Sequence, residues 1–162
     1  MIESNVGKSL DYLDKLILDA LQKEAHLSNV ELARRVNLSP PATHSRIKQL
    51  EKYGFIDQHV VILNQEKLGF ELLCFVHVGM SAHTNDQLEI FEETVILMKE
   101  VLECHQLTGQ YDYLLKIVTR DRKELQMFLR KVNLLPNVTQ IQTSVVLQEI
   151  KFTTILPILD ND

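Results

Sequence analysis

Apolar positions along the chain change rhythm, from helical spacing to strand-like alternation and back again. Over residues 10–22, LDYLDKLILDALQ, the side chains of Leu10, Leu13, Leu16, Ile17, Ala20 and Leu21 share one helical stripe that needs a core to cover it. Residues 28–54, SNVELARRVNLSPPATHSRIKQLEKYG, then carry two helices with separate start signals. Ser28 followed by Glu31 reads as a capping box, in which each side chain answers a backbone N–H that the first helical turn leaves unpaired. The pattern breaks at Asn37-Leu38-Ser39, and Ser39 before Pro40 is a second N-cap, with proline placed where its missing N–H costs nothing. Gly54 stops the second helix, because glycine takes the left-handed conformation past a helix end without strain. Val30, Ala33 and Val36, then Leu38, then Thr43, Ile47 and Leu50 supply the core that the first helix needs. Two short helices joined by so tight a turn are the wiring of a DNA-binding helix-turn-helix. Beyond Gly54, FIDQHVVIL alternates roughly as a strand does and predicts a wing.

After the polar run Asn64-Gln65-Glu66-Lys67 the rhythm changes at Leu68-Gly69-Phe70, which predicts a linker over 61–70 between a domain at 1–60 and a second at 71–162. Glu71 to Ser81 reads as a strand and Asn85 to Glu100 as a helix with Leu88, Phe91, Val95 and Met98 inward. Val101 to Thr108 and Tyr113 to Thr119 read as strands around a turn at Gly109 to Asp112. A helix over Asp121 to Leu135, broken by Pro136-Asn137, precedes a long final strand from Val138 to Leu156. The order βαββαβ predicts a ferredoxin-like domain, so the fold class is α+β: an N-terminal winged helix-turn-helix domain followed by the ferredoxin-like one. Two helices cover only one face of such a sheet. In the first strand Leu72, Cys74, Val76, Val78 and Met80 make one face, yet Leu73 and Phe75 sit on the other with His77 and Gly79. Apolar residues on both faces predict that a second copy of the chain covers the helix-free side, giving an obligate dimer.

Composition changes this picture little: 162 residues, 45% hydrophobic and 24% charged, suit one globular domain or two small ones. There is no apolar run of membrane-spanning length, and MIESNVGKSL lacks the basic and apolar regions of a signal peptide, so a cytoplasmic location is expected and no membrane partner. Cys74 and Cys104 lie in apolar strand-like stretches and read as reduced, buried thiols. Charge matters more. The net −5 conceals a division: Lys+Arg and Asp+Glu number 8 and 8 over residues 1–60, against 9 and 14 over 61–162. Within Ser28 to Lys52 the balance is +3, enough for one face to approach phosphate.

With Ile47 inward on a helical wheel, Pro41, Ser45, Lys48, Gln49 and Lys52 point outward, with His44 and Arg46 on the flanks. Side chains near the helix N-terminus are placed to read base edges, while Ser39, the N–H groups of the first turn and the basic side chains grip phosphate. The expected contact set with double-stranded DNA is Ser39, Pro41, Thr43, His44, Ser45, Arg46, Lys48, Gln49 and Lys52, in which Thr43 also serves the core.

Four stretches together resemble the Lrp/AsnC, or feast-famine, family of prokaryotic regulators from end to end. They are Leu10-Asp11 with Asp14 and Ile17-Leu18, then SNVELARRVNLSP, then RIKQLEKYGFI, then TGQYDYLLK from Thr108 to Lys116. The stretch VLECHQLTGQYDYLLK is more similar to the leucine-responsive branch than to the asparagine-responsive one. The resemblance implies that the second domain binds an amino acid effector, leucine or methionine, between dimers that assemble into octamers or related rings. It implies an effector site at Thr108, Gly109, Gln110, Tyr111 and Asp112, with Gln142, Ser144 and Val146 of the last strand completing the wall. The residue chemistry suits this role: Gly109 permits a tight turn whose N–H groups face a carboxylate, and Asp112 offers a counter-charge for an ammonium group. On the residues alone, the same turn is also what Gly and Asp make in any sheet.

No catalytic constellation stands out, so an enzyme is not expected. The histidines His26, His44, His59, His77, His83 and His105 show no metal-ligand spacing, five scattered glycines make no phosphate loop, and no cofactor or metal is implied. The rival to DNA binding is a ligand-sensing protein whose winged helix contacts another protein; phosphate-led binding alone should weaken steeply as salt rises.

Overall fold

The computed structural model describes residues 9–24, 26–81 and 85–158; the readings made on Met1–Lys8 and on His83 lie outside them. The chain divides into two compact units: residues up to Ile62 together with the segment from Lys151 form one, and Leu63–Ile150 the other. The expected second domain runs to residue 162, whereas the segment from Lys151 groups with the first unit.

The first unit is built on α1 (Tyr12–Lys23), α2 (Asn29–Arg35) and α3 (Pro40–Lys52). Its core is Ile17, Leu32, Val36 and Leu50, with Leu10, Leu21, Leu38 and Ile47 packed around it. Leu32 takes the inward place expected of Val30, which is 67% exposed; Leu32 and Val36, four apart, share the buried side of this short helix. Local signals explain the helix ends. Asp11 caps α1 by accepting the Asp14 N–H at 2.7 Å, and the Asp14 carboxylate answers the Asp11 N–H at 3.5 Å, a full capping box that no sequence argument had identified. Ser28 does accept the Glu31 N–H at 3.1 Å, but the Glu31 carboxylate turns to Arg34 and Arg35, so that expected box is only half formed. The turn into α3 is made by Asn37 at φ +54°, with the Leu38 N–H closing on the Ala33 carbonyl at 2.9 Å. Gly54, at φ +74°, ends α3 in the same way, as the Phe55 N–H reaches the Leu50 carbonyl at 2.9 Å.

The expected wing does not form a ladder: residues 55–64 carry neither helix nor strand. A strand needs a neighbour to satisfy its backbone, and the described residues give this segment none; Val60, Val61, Ile62 and Leu63 stand 59–83% exposed.

The second unit has β1 (Leu72–Met80), α4 (Asn85–Ile96), β2 (Val101–Gln106), β3 (Tyr113–Thr119), α5 (Arg122–Asn133) and β4 (Val138–Val145), the expected βαββαβ order. The sheet order is β2-β3-β1-β4 with every pairing antiparallel, as in a ferredoxin-like fold. Cys74, Val76, Val78 and Met80 of β1 meet Phe91, Val95, Phe128 and Val132 of the helices in one core. The last strand stops at Val145 instead of running to Leu156, because pairing with β1 ends where β1 begins. Cys104 is exposed rather than buried, since β2 is an edge strand with only Val101 half-covered.

Candidate functional site

The first candidate surface is the outer face of α3. Pro41, His44, Ser45, Lys48, Gln49 and Lys52 are exposed on it, and Ser39 is exposed at its start. Thr43 is not on this face: it is fully buried and its hydroxyl donates to the Ser39 carbonyl at 3.1 Å, so it serves the core. Nor do first-turn N–H groups offer an anion site. Pro40 and Pro41 have none, and the Ala42 N–H is taken by the Ser39 hydroxyl at 3.4 Å. Two prolines in succession were the legible signal for this. Contacts to phosphate must therefore come from side chains.

The basic balance of this region is largely paired internally. Arg35 binds Glu24 in bidentate fashion at 2.7 and 3.0 Å, clamping α2 to the end of α1, and Arg34 reaches Glu31 at 2.8 Å. Lys48 pairs with Glu51 at 2.7 Å. Exposed pairs of this sort add little to stability, because water and salt screen them. Arg46 differs. Its Nη1 donates to Asp11 Oδ2 and to Asp14 Oδ1, both at 2.7 Å, and the Asp14 side chain is fully buried. The Asp14 N–H and then Arg46 hold the Asp11 carboxyl below its usual range, and the two carboxylates raise the guanidinium. An acid on the inward stripe of α1, four residues after Leu10 and three before Ile17, was the sequence signal for this arrangement.

The second candidate surface lies on the sheet unit. The loop from Leu107 to Asp112 is closed by the Leu107 N–H on the Asp112 carbonyl at 2.7 Å, and Gly109 occupies φ +125°, a conformation open to glycine. Thr108, Gly109 and Gln110 are exposed, Tyr111 and Asp112 half-buried. The Tyr111 hydroxyl donates to Gln142 Oε1 at 2.5 Å and accepts from Gln140 Nε2 at 3.2 Å, which joins the loop to β4. Gln140 was absent from the expected set, although it shares Gln142's face two residues away. Ser144 and Gln142 continue that face opposite Phe75 and His77. Val146 lies past the end of β4, its N–H bonded to the Leu73 carbonyl at 2.9 Å. Asp112 turns elsewhere: its Oδ2 accepts the Met80 N–H at 2.7 Å, so one carboxylate oxygen already closes the end of β1.

The helix-free face is more polar than β1 alone suggested. Phe75 and Leu114 share it with His77, with Lys116 paired to Glu103 at 2.8 Å, and with the amides of β4. His77 stacks on Tyr111 with ring centroids 5.1 Å apart, and its Nδ1 is buried with no hydrogen-bond partner among the described residues. Among the described residues no group of His, Cys, Asp and Glu could hold a metal ion, and no helix is long and apolar enough to cross a membrane.

Comparison with known proteins identifies the two domains that carry these surfaces. Residues 10–57 match a winged helix-turn-helix DNA-binding domain, and residues 73–156 match the Lrp/AsnC ligand binding domain. The leucine-responsive regulatory protein of Escherichia coli K12 is 40% identical over 146 residues, which cover 90% of this chain and 89% of that protein. Among solved structures, a transcriptional regulator of Neisseria meningitidis in complex with L-methionine is similar at a TM-score of 0.88 and 39% identity, covering 92% of this chain and 97% of that one. AsnC of E. coli is similar at a TM-score of 0.82 and 26% identity, covering 91% and 99%.

Proposed function

Because the chain belongs to the Lrp/AsnC family of transcriptional regulators, we propose that it binds double-stranded DNA through α3 and that an amino acid bound at Thr108–Asp112 governs that binding. One observation carries the reading: a single chain pairs an exposed polar α3 face with a loop that Tyr111 ties to the amides of β4. Pro41, His44 and Ser45, at the start of α3, enter the major groove and meet base edges; Ser39, Lys48, Gln49 and Lys52 hold the backbone. Lys48 exchanges Glu51 for phosphate on binding.

In the effector site, the exposed N–H groups around Gly109 receive the carboxylate. The free oxygen of Asp112 receives the ammonium group, while Gln110 and Thr108 add polar contacts. Methionine and leucine are the effectors of choice, the first from the L-methionine complex of the Neisseria regulator and the second from the name of the E. coli relative. A dimer through the helix-free face, assembling further to an octamer, fits the buried His77 Nδ1, which has no hydrogen-bond partner among the described residues, and the exposed apolar side chains of Val60–Leu63, Leu147, Ile150 and Leu156. The whole would work in the cytoplasm. The effector acts by binding two arrangements of the assembly unequally.

A thermal-shift titration tests the sensor half. L-methionine or L-leucine at about one hundred times its dissociation constant adds about 2.7 kcal/mol to the folded state and raises Tm. No shift from either at millimolar concentration would sink the effector assignment.

A further inference from the structure

We propose that the outer faces of α4 and α5 make a contact between copies of this chain, in which the acidic face of α4 meets the basic face of α5 on a second copy. This rests on the assembly reading above, where the helix-free face makes the dimer and a further contact builds the octamer. Both helices lie on one face of the sheet, since Cys74, Val76 and Val78 of β1 meet Phe91 and Val95 of α4 and Phe128 and Val132 of α5 in one core. Their outward sides follow one pattern with opposite charge. On α4, Asp86, Ile90, Glu93 and Leu97 recur at i, i+4, i+7 and i+11, a spacing that keeps them on one side of a helix. On α5, Lys123, Met127, Arg130 and Leu134 recur at the same spacing. Leu97 and Leu134 each continue the last turn, their N–H groups bonded to the Thr94 carbonyl at 3.3 Å and the Arg130 carbonyl at 3.2 Å. Charged and apolar side chains therefore alternate along both faces, negative on α4 and positive on α5. None of the apolar ones is covered: Ile90 is 52% exposed, Met127 48%, Leu97 81% and Leu134 82%.

The charges on these faces also lack answers within the unit. Lys131 pairs with Glu100 at 3.1 Å and Arg120 with Glu124 at 3.2 Å, whereas Asp86, Glu93, Lys123 and Arg130 have no ion pair among the described residues. A two-fold contact uses the same patch on both copies, so α4 meets α5 twice and every one of these charges gains an opposite. The apolar side chains between them then leave water together. A phosphate backbone suits the surface less well. Lys123 and Arg130 would attract it, but Asp86, Glu89 and Glu93 on the same side of the sheet would repel it, and Ile90, Leu97 and Leu134 would gain nothing.

Sedimentation velocity on the full chain, at low and at high salt, tests the contact with paired charge reversals that circular dichroism shows to be folded. The unaltered protein should sediment as an assembly larger than a dimer and should come apart toward the dimer as salt rises. Lys123→Glu with Arg130→Glu, or Asp86→Lys with Glu93→Lys, should each sediment as a dimer. An equal mixture of the two reversed proteins again sets acid against base on both helices and should regain the larger assembly. Where a reversal does not fold, Lys123→Gln with Arg130→Gln takes its place and should raise the concentration for half-assembly tenfold or more. Reversed proteins that assemble like the unaltered one, or a mixture that stays dimeric, would overturn the proposal. So would an α5 reversal that assembles fully yet loses duplex affinity with a shallower salt slope, which would assign Lys123 and Arg130 to phosphate. If the unaltered protein is itself only a dimer, the reversals separate the two readings. Monomers would assign the dimer to α4 and α5 and remove the helix-free face from it; unchanged dimers would overturn this proposal and leave the helix-free face standing. An unaltered protein that is monomeric throughout would overturn both.

Discussion

In the first unit the polar groups with most consequence are turned inward: Asp14 is buried and answered by Arg46, and the capping box around Asp11 joins the same cluster. In the second unit they are turned outward. The Tyr111 hydroxyl bonds to both Gln140 and Gln142 on an open sheet face, beside an imidazole nitrogen with no partner among the described residues. An inward network defines the geometry of the surface above it, because a buried charge tolerates few arrangements. An outward network is itself the surface that a ligand or partner meets. The contrast sets Arg46, bonded within the helical unit, against Tyr111, bonded on an open sheet face.

Asp112 tests whether the second unit keeps that division, and it carries the largest expected effect. Asp112→Ala removes the acceptor of the Met80 N–H and should cost about 1–3 kcal/mol, read as a lower midpoint in chemical denaturation. Asp112→Asn keeps an oxygen for that N–H while losing the charge. It should hold stability within about 1 kcal/mol and still weaken L-methionine or L-leucine binding in calorimetry. Equal loss of stability in both variants would mean that the carboxylate's charge is structural, as it is for Asp14.

The two units should also fail at opposite ends of the pH scale. Asp11 is held below its usual range by the Asp14 N–H and by Arg46. A carboxyl depressed on folding adds stability that is present above its unfolded value and is lost as pH falls through the folded one, so the first unit should weaken below about pH 4. Tyr113 is shifted upward by burial and by its hydrogen bond to Glu92 at 2.7 Å. A phenol raised on folding adds stability that is present below its unfolded value and is lost as pH rises toward the folded one, so the second unit should weaken above about pH 10. Hydrogen exchange followed at both extremes separates the units, and Tyr113→Phe should move the alkaline loss to higher pH. Alkaline loss unchanged in that variant would remove Tyr113 as its cause.

Much of this was readable in advance, and the pattern of success has a physical basis. Helix ends were legible because capping is local: Ser28, Ser39 and Gly54 act on residues within one turn. The sheet was legible because β1 alternates over its buried face. The end of β4 was misread because a strand's extent depends on whether a distant segment pairs with it, which alternation alone does not encode. The ion pairs of Arg46 were not legible for a related reason: its place on the helical wheel was correct, but its partners Asp14 and Asp11 lie 32 and 35 positions earlier in sequence. Asp14 on an apolar stripe was the available clue. Tyr111 was named as a polar contact from the loop, though only the fold brings it to Gln142, 31 positions away.

The smallest effect concerns the segment from Lys151, which groups with the first unit although its rhythm continued the second. Gln22 on α1 holds it by both ends of one amide: Nε2 donates to the Leu156 carbonyl at 2.8 Å, and Oε1 accepts the Leu156 N–H at 2.9 Å. The side chain thus stands in for a neighbouring strand. It satisfies backbone groups in a segment where Leu156 is 67% exposed and no ladder exists. Because both bonds are exposed to solvent, water replaces them at little cost, and Gln22→Ala should lower stability by only about 0.5–1.5 kcal/mol. The sharper readout is local. Amide exchange at Leu156 should accelerate in Gln22→Ala, whereas Gln22→Glu keeps the acceptor for the Leu156 N–H and should retain part of the protection. Equal exchange at Leu156 in all three proteins would mean that Gln22 does not hold the segment, and the first unit would then rest on its three helices alone.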